Sequence, residues 1–279
     1  MKRNVLMIAP FNTRSGYGDH ARSIFYSIMD REDLDIKCID VNWGNTPRNH
    51  LRPEVPRHKK LLDKFIRQEE VKGQPDVLID IRIPNEFATG AKFNIGITAG
   101  VETNIVSPEF LEGMNRMNLN IVPSKFTQNS FITSTYDKMQ DLPNGQKQKV
   151  AIIKNEKPIQ VLFEGIDTDV YRPKQKHELE KNVYEDLDNL IKEEFAYLHV
   201  GQWGKGGFGE DRKNIGVLIK SFLKSFANIK NPPALVLKTN GANFSLLDRH
   251  DTKKKIQQVK DMFKGVDLPN IYLIHGDFT

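Results

Sequence analysis

Short apolar runs alternate with helix-spaced apolar stripes along almost the whole chain, and this alternation constrains the fold more than any other feature. Val5–Ala9 predicts a buried strand. After the loop Pro10–Gly18, residues Ala21, Ile24, Phe25, Ile28 and Met29 fall on one face at helical spacing. Asp35–Val41 predicts a second strand and completes a β-α-β unit, the element that builds parallel sheets. Further strands are predicted at Asp76–Ile83, Phe93–Thr98, Leu119–Val122 and Gln160–Phe163. Ser107 with Pro108 marks one helix start, and Ser124 caps another that runs to about Ser134. Residues 1–172 therefore predict a doubly wound, Rossmann-like α/β domain.

Residues 173–194 differ in character. They are rich in Lys, Glu, Asp and Asn with few apolar positions, and predict a charged linker with a solvated helix. The α/β rhythm then restarts over residues 195–279. Strands are predicted at Phe195–Val200, Ala234–Lys238 and Ile271–Ile274. One helix carries the stripe Ile215, Leu218, Ile219, Phe222, Leu223 and Phe226; a basic one spans Lys253–Phe263. This is about half of a typical nucleotide-binding α/β domain. The second parallel-sheet domain is thus expected to be incomplete. A sheet of that extent exposes an edge and an apolar face, which a C-terminal segment or a second chain would complete.

Composition narrows the function classes. The chain has 279 residues, 38% hydrophobic and 28% charged, with 41 basic against 36 acidic side chains and a net charge of +5. That mild excess suits anionic small ligands and does not by itself call for nucleic acid. Cys38 is the sole cysteine, which excludes an intrachain disulfide and points to a reducing, cytoplasmic setting. The histidines have no metal-site spacing, so no metal is expected, and His20 and His275 read as structural or surface residues. No apolar run approaches the ~18 residues of a membrane helix.

Four segments carry candidate chemistry. Ser15-Gly-Tyr-Gly18, between the first strand and helix, lets backbone approach a ligand; read alone, a tight turn serves as well, since Ala21 stands where a third glycine would be. Gly201–Lys213 follows a strand and precedes a helix, with glycine at 204, 206, 207 and 209 and then Arg212 and Lys213. Helix N-termini and adjacent cations attract phosphate. Arg supplies a fork and Lys a point charge. Lys238-Thr-Asn-Gly241 ends a strand on the side where parallel sheets place ligands. Gly100-Val-Glu-Thr-Asn104 offers Glu102 as a general base or acceptor-binding carboxylate; an ordinary solvated loop fits it too.

Three stretches together carry a family resemblance. Asn120-Ile-Val-Pro-Ser-Lys-Phe-Thr127, Leu162-Phe-Glu-Gly-Ile-Asp-Thr-Asp-Val-Tyr-Arg-Pro173, and His199-Val-Gly-Gln-Trp203 with Arg212-Lys-Asn-Ile-Gly-Val-Leu-Ile-Lys-Ser-Phe222 resemble motifs of the family 4 retaining glycosyltransferases of GT-B fold, bacterial and phage-borne members above all. The resemblance implies two Rossmann-like domains, the first for acceptor and the second for a nucleotide-sugar donor, with no cofactor or metal. It implies that Lys213 grips the donor diphosphate and that Gly16, Tyr17 and Gly18 approach it across the cleft. Gly201, Gln202 and Lys238 join the donor-phosphate set. Gln202 replaces an arginine usual in the family, and Arg212 is expected to substitute.

The implied reaction moves a sugar from its nucleoside diphosphate to a hydroxyl of a glycan, lipid or other acceptor, with retained configuration. The family's paired glutamates would lie beyond Thr279, so the resemblance describes a C-terminally truncated enzyme. A non-catalytic sugar-nucleotide or glycan binding fragment and a GT-B-fold sugar-nucleotide epimerase are the competing readings.

Overall fold

Val5, Met7 and Ala9 alternate inward along the first strand, and Val5 and Met7 pair with Ile36 and Cys38 of its neighbour. In the computed structural model, which describes residues 2–276 other than 45, 144, 207 and 242, the chain divides into two units, Met1–Arg172 and Pro173–Thr279.

The first unit runs β1 (Arg3–Ala9), α1 (Gly16–Ile28), β2 (Leu34–Asp40), α2 (Pro56–Leu62), β3 (Val77–Ile81) and β4 (Phe93–Ile97). It continues through α3 (Pro108–Asn115), β5 (Leu119–Val122), α4 (Lys125–Thr133), the hairpin β6 (Thr135–Asp141) and β7 (Lys147–Lys154), and β8 (Ile159–Val161). Six strands form a sheet in the order β2-β1-β3-β4-β5-β8, and its strand pairs are parallel. The order reverses between β1 and β3, which puts the loop after β1 at the switch point where open α/β sheets bind ligands.

Two apolar clusters hold this sheet. Ala21 and Phe25 of α1 pack with Met7, Phe11 and Cys38. Burial pushes the Cys38 thiol well above its ordinary range, so it stays neutral. On the far side, Leu111 and Met114 of α3 join Phe87, Val122 and Phe131. Gly113 sets how closely α3 approaches: a Cβ there would stand 2.0 Å from the Pro84 carbonyl oxygen. Ser124 caps α4, its Oγ accepting from the Thr127 N–H at 3.1 Å. Ser107 has an extended cap conformation, but its side chain makes no capping hydrogen bond; Pro108 alone provides the start of α3.

The second unit comprises α5 (Lys181–Leu190), β9 (Ala196–Val200), α6 (Ile215–Phe226), β10 (Ala234–Lys238), α7 (Leu246–Lys260) and β11 (Ile271–Ile274). Its three described strands lie in the parallel order β11-β10-β9. Ile215, Ile219, Phe222 and Leu223 of α6 bury on Leu235 and Leu237 of the central strand, the stripe the sequence displays. Tyr197 of β9 meets Phe222 of α6, ring to ring at 6.2 Å. Leu198 and Val200 therefore point to the opposite face, where each is 67% exposed. The predicted linker contains α5, and its end returns to the sheet, where Glu193 accepts from Asn270 Nδ2 at 2.7 Å and from the Tyr272 hydroxyl.

Helix α7 begins seven residues earlier than its sequence pattern predicts. Its inward positions are Asp248, Thr252, Ile256 and Val259; the first two are polar, while Leu246 and Leu247 are exposed.

Candidate functional site

In the second unit, three loops leave the C-terminal ends of parallel strands and are laced to each other. The Gly201 N–H donates to the Lys238 carbonyl at 3.1 Å and the Trp203 N–H to the Asn240 carbonyl at 2.8 Å. Gln202 Nε2 donates to the Gly241 carbonyl at 2.8 Å. Sequence-predicted Gly201, Gln202 and Lys238 are thus brought together. The Lys238 ammonium donates to the Gly276 carbonyl at 2.7 Å and lies 5.5 Å over the Phe244 ring. It is a tie between strand ends as well as a cation.

The glycine-rich loop folds back over the first turn of α6. Trp203 is buried, and Phe208 lies against Gly216, where a Cβ would meet its ring at 3.1 Å. Gly206 and Gly209 take φ of 129° and 81°, which explains glycine at both positions. Gly207 lies outside the described residues.

The start of α6 differs from the sequence expectation of free N–H groups. Buried Asp211 accepts from the Ile215 N–H through Oδ2 at 3.1 Å, so the chain supplies its own anion to the helix end. Asn214 takes the left-handed conformation at φ 51° and makes no side-chain cap. Arg212 and Lys213 are exposed beside this turn. The positive charge open to solvent at this turn therefore lies on these two side chains more than on the first N–H of the helix.

Lys213 lies near His199 of β9. Burial lowers the His199 pKa and the Lys213 charge lowers it further, against the Asp211 carboxylate, which raises it. His199 Nε2, Asp211 Oδ1 and Thr239 Oγ1 are buried atoms that make no hydrogen bond among the described residues. Buried polar atoms are nearly always bonded. All three belong to β9 or to the segments that follow β9 and β10, the part of the second unit that carries Lys213.

In the first unit, the loop after β1 is held from within. Buried Arg22 donates to the Phe11 and Thr13 carbonyls and pairs with Asp19. Ser15 caps α1, its Oγ accepting from the Gly18 N–H at 3.0 Å. Gly16 is exposed with nothing within 4 Å of a built Cβ, whereas a Cβ on Gly18 would stand 2.5 Å from the Thr13 carbonyl oxygen. Only Gly16 presents open backbone; Gly18 is required by the turn itself. The expected outcome is that Gly16→Ala leaves the unfolding free energy unchanged, while Gly18→Ala lowers it by about 2 kcal/mol, checked by urea unfolding.

Tyr17 stacks on Trp43, ring centroids 4.2 Å apart, and its hydroxyl meets Thr98 Oγ1 at 2.9 Å and the Ala99 N–H at 3.1 Å. Burial raises its pKa. It thereby fixes the start of the loop that carries exposed Glu102. Glu164 lies 3.9 Å from His20 Nδ1, and burial lowers the His20 pKa against that carboxylate.

The His50 N–H donates to the Asn12 carbonyl of the loop after β1 at 3.1 Å, and its ring lies 5.3 Å from that of His58. Burial first, then the Arg22 charge, lowers its pKa to about 4. An unfolded histidine protonates near 6.5, so stability falls as pH drops from that value toward 4, where only the unfolded chain takes the proton. Between pH 7 and 5 the urea midpoint of the wild type should fall more than that of His50→Asn; equal losses would exclude His50 as a cause.

Sequence reasoning missed Arg22, Asp211 and the link between Asp248 and His275. Ser15 before an apolar-periodic run was the legible cap signal. Among the described residues no group of three or more His, Cys, Asp or Glu is placed to hold a metal, and no helix is long and apolar enough to cross a membrane.

No known family model matches the chain, and no curated protein matches it. Solved structures do. One, described as trehalose-6-phosphate from E. coli bound with UDP-2-fluoro glucose, has a TM-score of 0.52 at 9% identity, covering 99% of this chain and 74% of that one. The N-terminal domain of Candida albicans trehalose-6-phosphate phosphatase gives 0.53 at 12%, covering 100% and 75%. An apo structure of OtsA gives 0.50 at 9%, covering 100% and 74%. The fold class is therefore α/β and GT-B-like, built of Rossmann-like parallel-sheet units.

Proposed function

We propose that the chain is a glycosyltransferase that moves a sugar from a nucleoside-diphosphate sugar to an acceptor hydroxyl, with retention as in the family 4 enzymes its motifs resemble. The observation that carries this reading is the strand-end group in the second unit, where Lys213 stands near His199 and three buried polar atoms lack partners. The GT-B-like fold supports it, and one structural neighbour holds UDP-2-fluoro glucose.

In this reading the second unit binds the donor. The bond from the sugar C1 to the diphosphate oxygen breaks, and Lys213 and Arg212 stabilise the charge that develops on the leaving group. Gly201, Gln202 and Lys238 shape the loops around it. The first unit takes the acceptor, a glycan, lipid or other hydroxyl compound. Glu102 binds that hydroxyl or takes its proton as the new C1–oxygen bond forms. Gly16 offers open backbone to a phosphate, while Tyr17 and Gly18 hold the turn. We further assign the exposed face of Leu198 and Val200 to contact with an additional segment or chain.

The test is release of nucleoside diphosphate from UDP-, ADP- and GDP-sugars by the purified chain, with and without sugar acceptors. Release that depends on an acceptor supports transfer. Donor interconversion without an acceptor supports an epimerase, and no turnover of any donor rejects the reading.

A further inference from the structure

Asp248 and His275 form a side-chain pair that the proposed chemistry does not use. Asp248 Oδ2 lies 2.8 Å from His275 Nε2, and their side chains are 9% and 2% exposed. The same oxygen accepts from the Gly241 N–H at 3.0 Å. Asp248 belongs to the first turn of α7, where its own N–H is capped by Ser245 Oγ at 3.2 Å. His275 follows β11 directly. One carboxylate thus joins the helix start, the segment after β11 and the loop after β10.

That loop is the one that holds Gln202. The Gly241 N–H is fixed by Asp248, and the Gly241 carbonyl receives Gln202 Nε2 at 2.8 Å. Gly241 has no room for a side chain, because a Cβ would stand 2.8 Å from Asp248 Oδ1. The adjacent Asn240 carbonyl takes the Trp203 N–H. A continuous series of hydrogen bonds runs from His275 through Asp248 and Gly241 to the loop after β9. We infer that Asp248 and His275 are positioning residues that set the Gly241 loop and Gln202 for a nucleoside diphosphate. This rests on the proposed donor site in the second unit.

A carboxylate held between an imidazole and a backbone N–H keeps one rotamer, and hydrogen bonds to charged groups are among the stronger ones. Glutamine at 275 can present a donor amide near the position of the imidazole Nε2; leucine cannot. The experiment compares wild type, His275→Leu, His275→Gln and Asp248→Asn in calorimetric titrations with UDP, ADP and GDP. Each is measured well below that variant's unfolding midpoint. The best-bound nucleotide of the three should bind His275→Leu and Asp248→Asn about tenfold more weakly. His275→Gln should recover most of the affinity, a rescue that a purely packing role for the ring would not give.

Amide exchange at Gly241 provides a readout without ligand: it should rise in His275→Leu and return in His275→Gln. Nucleotide binding unchanged in His275→Leu overturns the positioning role and leaves the donor site standing. A wild type that binds none of the three overturns both. A His275→Gln as weak as His275→Leu also overturns the inference.

Discussion

Replacing Lys213 with alanine should lower sugar-nucleotide turnover by about a hundredfold or more, the range seen when one preorganised stabiliser of developing charge is removed. The side chain is exposed and flanks the turn into α6, so its loss should leave the unfolding midpoint in place. Its charge also acts on His199, whose pKa it helps to lower. In Lys213→Ala the His199 pKa should therefore rise toward the ordinary histidine value, a change an NMR titration reads without any substrate. Lys213→Arg keeps the charge and should leave the His199 pKa low. A turnover equal to wild type in Lys213→Ala would remove Lys213 from the site. An unmoved His199 would show that the two groups do not interact.

Gly113→Ala should destabilise the first unit by about 3 kcal/mol, at the upper end of what an added methyl costs in a packed interior. The added carbon would lie 2.0 Å from the Pro84 carbonyl oxygen and 2.3 Å from its carbon. These are backbone atoms of a turn over Pro84–Glu86, so no flexible side chain can move aside. Arg116 fixes that turn further by donating to the carbonyls of Asn85 and Pro84 at 2.9 and 3.2 Å. For a unit of this size the midpoint should fall by about 6–12 °C. A midpoint within a degree of wild type in differential scanning calorimetry would mean that α3 is free to shift away from the turn.

Strands of the two parallel sheets were legible because they read as short apolar runs, as in Val5–Ala9 and Ala234–Lys238; of these, β10 buries both faces, whereas β9 leaves Leu198 and Val200 exposed. Helix α6 was legible because all its inward positions are apolar. Elements whose inward positions are polar or few were not. The start of α7 points Asp248 and Thr252 inward, and α2 buries Leu61 alone. The hairpin of β6 and β7 lacks a clean alternation, and its strands leave Met139, Val150 and Ile152 exposed.

The candidate site divides the same way. Lys213, Gly201 and Gln202 were visible because glycine-rich, cationic text between a strand and a helix is local. Asp211 as the internal cap of α6 could not be separated in sequence from the neighbouring charges. The pairing of Asp248 with His275 spans 27 residues and needs the fold before it exists.

The proposed donor site is tested most directly by calorimetric titration of UDP-, ADP- and GDP-sugars into the wild-type chain and Lys213→Ala side by side. The account predicts saturable binding of at least one sugar nucleotide by the wild type, weakened at least about tenfold in Lys213→Ala. Absence of binding by the wild type, or equal affinity in both proteins, would contradict it.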